Sequence, residues 1–546
     1  MMNSDDKLYR TFIEELHALK EFRLTYALDH PASDLDLDDP AVKRIIEVLA
    51  FFGARTETAT LRYNAANRLR LYQQFFPYLL SPLPAMAIVQ AKPTGRLTEV
   101  LEFPQDTEFA LQPEKGGLAF FRSMRQLRVL PFGIEAVKLE MLPAAGCRLL
   151  LMFQADYPLN EHPGRLSLYI NYLNDFVSSL KVFHYLKRTL RNTRVQFGGY
   201  DPECAGMECH SDFDASGDGI ETDEWRHPLE VERDYFHFPQ QALYLHLELP
   251  PAPRNWKKFT VALECSELWP RKYQPNKDLF QLFTVPLSNS RRGFSEPVLC
   301  DGTQERYSIR HPHPESGFKL QKVLGVYEIT EKGMLPLRPG LLAGGNGSYE
   351  IEQDTMQADG GSLFRLLPHF PEAFEQPRTL AVEALWLQPW FDRQSKNSYT
   401  LKTLHRQTVG VKWELTDNAE THVENQQINS STGFLHLLTL MHKTCLSGQD
   451  VRDLLQAMGS VSSGRFRGVL ENLNGVRLEE MALGREQHYM TKQTYYLKFK
   501  TEMDDSLELT ETFAEHLNRM LDLWIPDAVV DVLIEKADEP SEFLES

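Results

Sequence analysis

The stretch FFPYLLSPLPAMAIVQ, residues 75–90, constrains this chain more than any other. A pattern with helical spacing runs into it and meets Pro77, followed by Pro82 and Pro84. Proline removes a backbone donor and clashes with the preceding helical turn, so the helix has to end at Phe76. The residue before each proline is pushed towards extended backbone. Beyond Pro84 the run AMAIVQ has the look of a strand. The chain must therefore pass from a long helical segment to a β-rich body through a stiff, proline-marked junction formed by Pro77, Tyr78, Pro82 and Pro84.

The segment before the junction reads as helix almost throughout. Leu8, Phe12, Leu16, Leu19, Phe22 and Tyr26 recur every three or four residues, which predicts a helix over 5–28 with one apolar stripe. Asp39 is placed to cap a second helix with Pro40 at its first position. Val42, Ile45, Ile46, Leu49 and Phe52 then form one face, continued by Leu61, Leu69, Tyr72 and Phe76 after an expected break near 56–62. Helices this long with so few apolar contacts of their own usually bury their stripe against something else. Leu8, Phe12, Leu16, Val42, Ile45, Ile46, Leu49, Phe52, Leu69 and Tyr72 are therefore the candidate interface.

From 85 the period is mainly two, through strands such as FALQ, LAFFRSM, LRVLPFGIEAVKLEML and CRLLLMFQA. RLSLYINYL predicts a strand and DFVSSLKVFHYLKRTLRN a helix. Residues 198–230 read as a loop, 231–335 as strands and short helices, and 337–362 as Gly-rich hairpin tips or a mobile loop. Residues 365–416 read mostly as strand, and helix returns near 432. Ser447 and Asp450 have capping-box spacing. QTYYLKFKT, ETFAEHLNRMLDLWI and AVVDVLIEKAD close the chain as strand, helix and strand.

A chain of 546 residues exceeds what one core serves, and about three or four domains are expected. The fold class is α+β and multidomain. Its expected parts are an N-terminal helical segment (1–84), mainly antiparallel β or α+β domains (85–230 and 231–425), and C-terminal helices with a small strand–helix–strand domain (426–546). A net charge of −18 argues against nucleic acid or an anionic membrane surface as main partner. No apolar run approaches the ~18–20 residues of a membrane-spanning helix, and no signal-peptide core is present, so the cytosol is the expected compartment. Six scattered cysteines read as free thiols there.

No catalytic, cofactor or metal site is assigned, although several stretches carry candidate ligands. Asp212, Asp214, Ser216, Gly217 and Asp223 fall at positions of a calcium loop. Gly219 replaces its aliphatic, Asp223 its bidentate glutamate, and no helix precedes it, so a solvated acidic loop that buries no core is the preferred reading. Cys204, Cys209 and His210 lack a second ligand pair for zinc, and HPHP at 311–314 reads as a turn. GGNGS at 344–348 lacks a phosphate-loop lysine, and Asp504/Asp505 reads as a helix N-terminus. Hydrolase, metalloprotease and nucleotide-binding motifs are absent from the sequence.

DPAVKRIIEVLAFFGARTET (39–58) and FFPYLLSPLPAMAIVQ together resemble the TssF family of the bacterial type VI secretion system. That family pairs a helix of the form Asp-Pro-x-Val-x-Arg-Leu-Leu-Glu-x-x-Ala-Phe with a Tyr-Pro-x-Tyr-Leu-x-Pro-x-Pro-Ser-Met-x-Ile-x-Gln junction. Asp39, Pro40, Val42, Arg44, Glu47, Ala50, Phe51, Pro77, Tyr78, Leu79, Pro82, Pro84, Met86, Ile88 and Gln90 fit it. YFHFPQQALYLHLELP, LFTVPLSNSRRGFSEPV, GFLHLLTLMHKTCLSGQDVRDLLQAM and ETFAEHLNRMLDLWIPDAVVDVLIE extend the likeness in order. Ala85 stands for the family's serine and Gln281 for its asparagine, and the acidic loop has no counterpart.

The resemblance implies a wedge subunit of the baseplate, related to contractile-phage wedge proteins and assembled at the inner face of the inner membrane. It implies a TssG-like subunit, a second copy of the chain, TssK-like trimers, and TssE-like, sheath and spike hub proteins as partners. Nucleic acid and direct membrane insertion are not among them. In such a subunit the N-terminal helices leave the body to join a bundle between subunits. The alternatives are a wedge protein of another phage-tail-like machine, a metal-dependent hydrolase using 204–224, and a calcium-dependent binding or adhesion module.

Overall fold

The computed structural model describes residues 4–30, 39–113, 118–143, 146–204, 206–213, 227–340, 347–354, 363–388, 399–404, 409–416, 419–423, 431–459, 464–483, 490–500 and 507–535. Asp214, Ser216, Gly217, Gly219, Asp223, Asp504, Asp505 and most of the Gly-rich GGNGS stretch lie outside the described residues.

Two long helices open the chain, α1 (Ser4–Asp29) and α2 (Pro40–Phe75). The Asp39 carboxylate accepts from the Ala41 N–H at 2.8 Å, with Pro40 at the first helical position. At 1.5 Å per residue α2 is ~54 Å long. It passes unbroken through 56–62, where a break was expected. No proline or glycine interrupts it there, and Thr58 donates its hydroxyl to the Ala54 carbonyl at 2.8 Å. α1 packs beside α2 over small residues: Ala50 and Ala54 are fully buried, and a side chain at Gly53 would meet the Glu15 carboxyl group.

The body begins after the one-turn helix α3 (Pro77–Leu80). Strand Met86–Pro93 pairs with Thr284–Ser288 on one side and Val411–Leu415 on the other. These join Glu108–Pro113, Ala119–Ser123 and Tyr399–Thr403 in a six-stranded sheet. The sheet curls on itself, with Trp413 on one edge strand packing edge-on against Phe109, 4.8 Å between rings. Two further sheets share its core. Cys147–Leu159 lies between Phe132–Met141 and Trp256–Cys265, and Arg165–Ile170 between Tyr244–Glu248 and Phe280–Gln281. Helix α4 (Phe176–Thr189) closes this core and is capped by Asp175, whose carboxylate accepts from the Ser178 N–H.

These pairings correct the division expected at 230/231. Strands from both sides of that line sit next to one another, and strands near 400 return to the first sheet. The separate β unit is instead 290–387, where two sheets enclose a core around Val326, Leu366, Leu380, Val382 and Trp386. The loop reading of 198–230 also changes. Met207–Glu208 and His210–Asp212 are short edge strands, Phe213 packs on Phe183 at 5.5 Å, and helix α5 (Pro228–His237) begins before the expected loop ends.

The C-terminal part contains α6 (Ser431–Met441), α7 (Gly448–Ala457), α8 (Arg467–Asn472) and α9 (Leu507–Trp524). Ser447 and Asp450 make the capping box at the start of α7. Strands Met490–Phe499 and Ala528–Ile534 are parallel, with α9 between them along the chain. Parallel neighbours need such a crossover.

Candidate functional site

The root of the helical arm is not a free linker. Tyr72, Phe76, Tyr78 and Leu79 are buried in the core of the C-terminal helices, and Phe76 stacks on Trp524 at 6.0 Å. Tyr72, 3% exposed, therefore belongs to the chain's own core and leaves the candidate interface.

The proline junction then poses a problem in backbone hydrogen bonding. Its prolines supply no N–H, so backbone pairing alone cannot satisfy the segment. Buried side chains supply the missing donors. Arg233, on α5, donates to the carbonyls of Tyr78 and Ser81, and also to Met458 at the end of α7. Gln321 donates to Pro82 at 3.0 Å, and His237 to Pro84 at 3.1 Å. Leu83 and Met86 exchange backbone bonds with Val423 and Glu420. Burial pushes the Tyr78 hydroxyl pKa up, and its ring stacks on His227 at 4.3 Å. Pro77 itself faces solvent. Three parts of the body thus hold the root of the arm.

His237 makes this root sensitive to acid. Burial holds its imidazole below the ordinary pKa of 6.5, against the pull of Asp234 and Glu420 and with Arg233 adding to the depression. The folded chain therefore keeps His237 neutral while the unfolded chain takes up a proton as pH falls below 6.5. Stability is lost over that window, by up to about 1.4 kcal/mol per pH unit, until the folded pKa is reached. Urea melts of wild type and His237→Gln between pH 7.5 and 5 should show a shallower pH dependence for the variant, whose amide can still donate to Pro84. Equal slopes would remove His237 from this role.

Beyond the root, the arm divides its apolar residues between two sides. Leu8, Phe12 and Leu16 on α1 and Val42 and Ile46 on α2 are half-buried. Ile45, Leu49 and Phe52 are open at 59, 54 and 58% exposure, with Val48 and Phe51 beside them. The backbone of Leu69 is helical, and its side chain lies outside the described residues. A helix that is apolar on both sides is normally buried on both.

The stretches that carry candidate metal ligands do not converge among the described residues. Cys209 is buried, donates to the Glu248 carbonyl at 3.2 Å, and has its thiol pushed up to about 11 by burial. Cys204 and His210 are exposed. Asp212 sits in strand register opposite His246. His311 stacks on Phe318. Among the described residues no three His, Cys, Asp or Glu side chains form a metal-holding group. Nor is any described helix long and apolar enough to cross a membrane.

A β-rich body thus holds the root of a helical arm whose outer face, around Ile45, Leu49 and Phe52, is open among the described residues. The chain belongs to the TssF family: the family profile described as "Type VI secretion system, TssF" matches residues 4–340. Among solved structures, a chain of the type VI TssK-TssF-TssG baseplate subcomplex superposes with a TM-score of 0.73 at 16% identity, covering 91% of this chain and 99% of that one. A chain of a type VI baseplate complex gives 0.61 at 15% identity, covering 96% of each. At these identities the likeness is one of fold. No curated protein sequence matches the chain significantly.

Proposed function

We propose that this protein is a structural subunit of the type VI secretion baseplate wedge. It joins a TssG-like protein through its helical arm, together with a second copy of itself, and carries TssK-like trimers on its body. TssE-like, sheath and spike hub proteins are its further neighbours, at the inner face of the inner membrane. The observation that carries this reading is the open apolar side of α2 around Ile45, Leu49 and Phe52 on a rigidly held root. Family membership and the shared fold of the two baseplate structures support it. The role is mechanical: a stiff junction passes force from arm to body, and no catalysis is assigned.

Co-expression tests it. The tagged chain alone should self-associate through the arm. With TssG-like and TssK-like proteins from the same operon it should elute as one stoichiometric complex. A monodisperse monomer in the presence of both, with residues 40–60 protected from hydrogen exchange, would overturn the reading.

A further inference from the structure

The separate β unit, 290–387, presents an aromatic ring to solvent. Phe374 is 78% exposed, more open than any other Phe, Tyr or Trp among the described residues. It lies in the turn 370–377, between the strands Leu363–His369 and Arg378–Leu387. Its neighbours hold that turn in place. Ala373 and Phe370 point inward and pack in the unit's core. The Ala373 N–H donates to the Phe370 carbonyl at 3.1 Å, and the Glu375 and Gln376 N–H groups donate to the Glu372 carbonyl at 3.0 and 2.9 Å. Arg378 braces the same turn. Its guanidinium lies over the Phe370 ring at 5.1 Å and pairs with Glu372 at 3.6 Å and Glu328 at 2.8 Å.

A second turn, 301–306, closes against the first. Gly302 has a φ of 74°, and a Cβ there would stand 2.9 Å from the Phe374 backbone nitrogen. Glycine alone permits both the conformation and the approach. Leu299, on the strand that leads into this second turn, is 58% exposed. Single exposed apolar side chains are ordinary on a protein surface. A ring held out by two interlocked turns is different, because its backbone has little conformational freedom left to lose on binding. That is the arrangement of an interface anchor.

Charge around the ring narrows the partner. The two turns and Arg378 carry Asp301, Glu305, Glu372 and Glu375 against Arg306 and Arg378, four carboxylates against two guanidiniums. Both arginines are already paired, Arg306 with Glu352 at 3.3 Å and Arg378 with Glu328 and Glu372. Asp301 accepts from neutral donors, the Thr303 hydroxyl and N–H and the Tyr307 hydroxyl. The Thr303 bonds hold its carboxyl below the usual carboxylate range, so it stays charged. Glu305 and Glu375 are exposed and form no ion pair among the described residues. An anionic membrane or a nucleic acid would be repelled by this rim. A two-fold contact with a second copy would set the carboxylates against their own images. We propose that Phe374 anchors a docking surface for a protein that presents an apolar pocket rimmed by lysine or arginine.

Photocrosslinking tests this, with p-benzoylphenylalanine in place of Phe374 in the full chain, co-expressed with the other proteins of its operon. An adduct should form with one other protein, at a peptide that combines apolar residues with lysine or arginine. Against that protein, Phe374→Ala should weaken binding about thirtyfold or more, the loss of one aromatic anchor. Its melt should match wild type, because the ring packs on little within the chain. Glu305→Gln with Glu375→Gln should slow association several-fold and flatten its salt dependence, since rim charges act on the encounter. Gly302→Ala keeps the ring but displaces its turn, and should weaken binding as well. No adduct, an adduct with a second copy of this chain, an adduct at a peptide without basic residues, or undiminished binding by Phe374→Ala would overturn the proposal. Flotation with phosphatidylglycerol vesicles that Phe374→Ala abolishes would overturn it too, in favour of a membrane contact. The arm is tested by co-purification and this surface by the adduct at position 374, so either reading can fail while the other stands.

Discussion

Arg233→Met should detach the arm from the body. Arg233 is 2% exposed and its donors reach three carbonyls: the buried Tyr78 and Met458 and the half-buried Ser81. Methionine fills much of the same space and donates nothing. Each carbonyl left buried without a donor costs ~1–3 kcal/mol, so the total should be about 4 kcal/mol or more. That is roughly a thousandfold shift in the local folding equilibrium. The damage should be confined to where the bonds were. Hydrogen exchange should rise in 72–84 and in 448–458, while the strands Cys147–Leu159 and Trp256–Cys265 keep their protection. Arg233→Lys should fall between, because one ammonium cannot reach all three carbonyls. A variant that melts like wild type, with 72–84 still protected, would mean that the Gln321 and His237 bonds suffice to hold the root.

What the sequence showed and what it hid follow from how local each signal is. Periodicity, caps and breakers act within a few residues, so the arm helices, the Asp39 cap, the Ser447–Asp450 box and the closing strand–helix–strand unit could all be read. Helix α5 could not be read in the same way. Its buried face includes Glu232, Arg233, Asp234 and His237, so the residues that hold the junction leave no apolar stripe. Burial of polar groups is decided by distant partners: His516 faces Glu232 at 3.0 Å across 284 positions. Strand pairing was hidden for the same reason. Nothing near residue 90 announces that Met86–Pro93 will lie between Thr284–Ser288 and Val411–Leu415. The arm face was half legible. Spacing placed Val42, Ile45, Ile46, Leu49 and Phe52 together, but only packing separates the two that turn towards α1 from the three left open.

Leu49→Asp and Phe52→Asp should abolish assembly and leave the fold alone. Both side chains are more than half exposed in the single chain, at 54 and 58%. Placing a carboxylate there costs the isolated protein little, within about 0.5 kcal/mol. Against another subunit the same carboxylate would be buried without a partner, at several kcal/mol, enough to weaken association ~100-fold or more. The expected result is an unchanged cooperative melt and circular dichroism, with loss of co-purification with a TssG-like protein and with a second copy. Two controls sharpen it. Ile46→Asp lies on the half-buried side and should loosen the α1–α2 pairing itself, raising hydrogen exchange along α1. Tyr72→Asp places a charge in the C-terminal core and should lower the melting temperature outright. If Leu49→Asp or Phe52→Asp unfolds the chain, that face packs within one protomer in solution. If either variant still assembles fully, the outer face of α2 is a solvated surface and the partners meet this chain elsewhere.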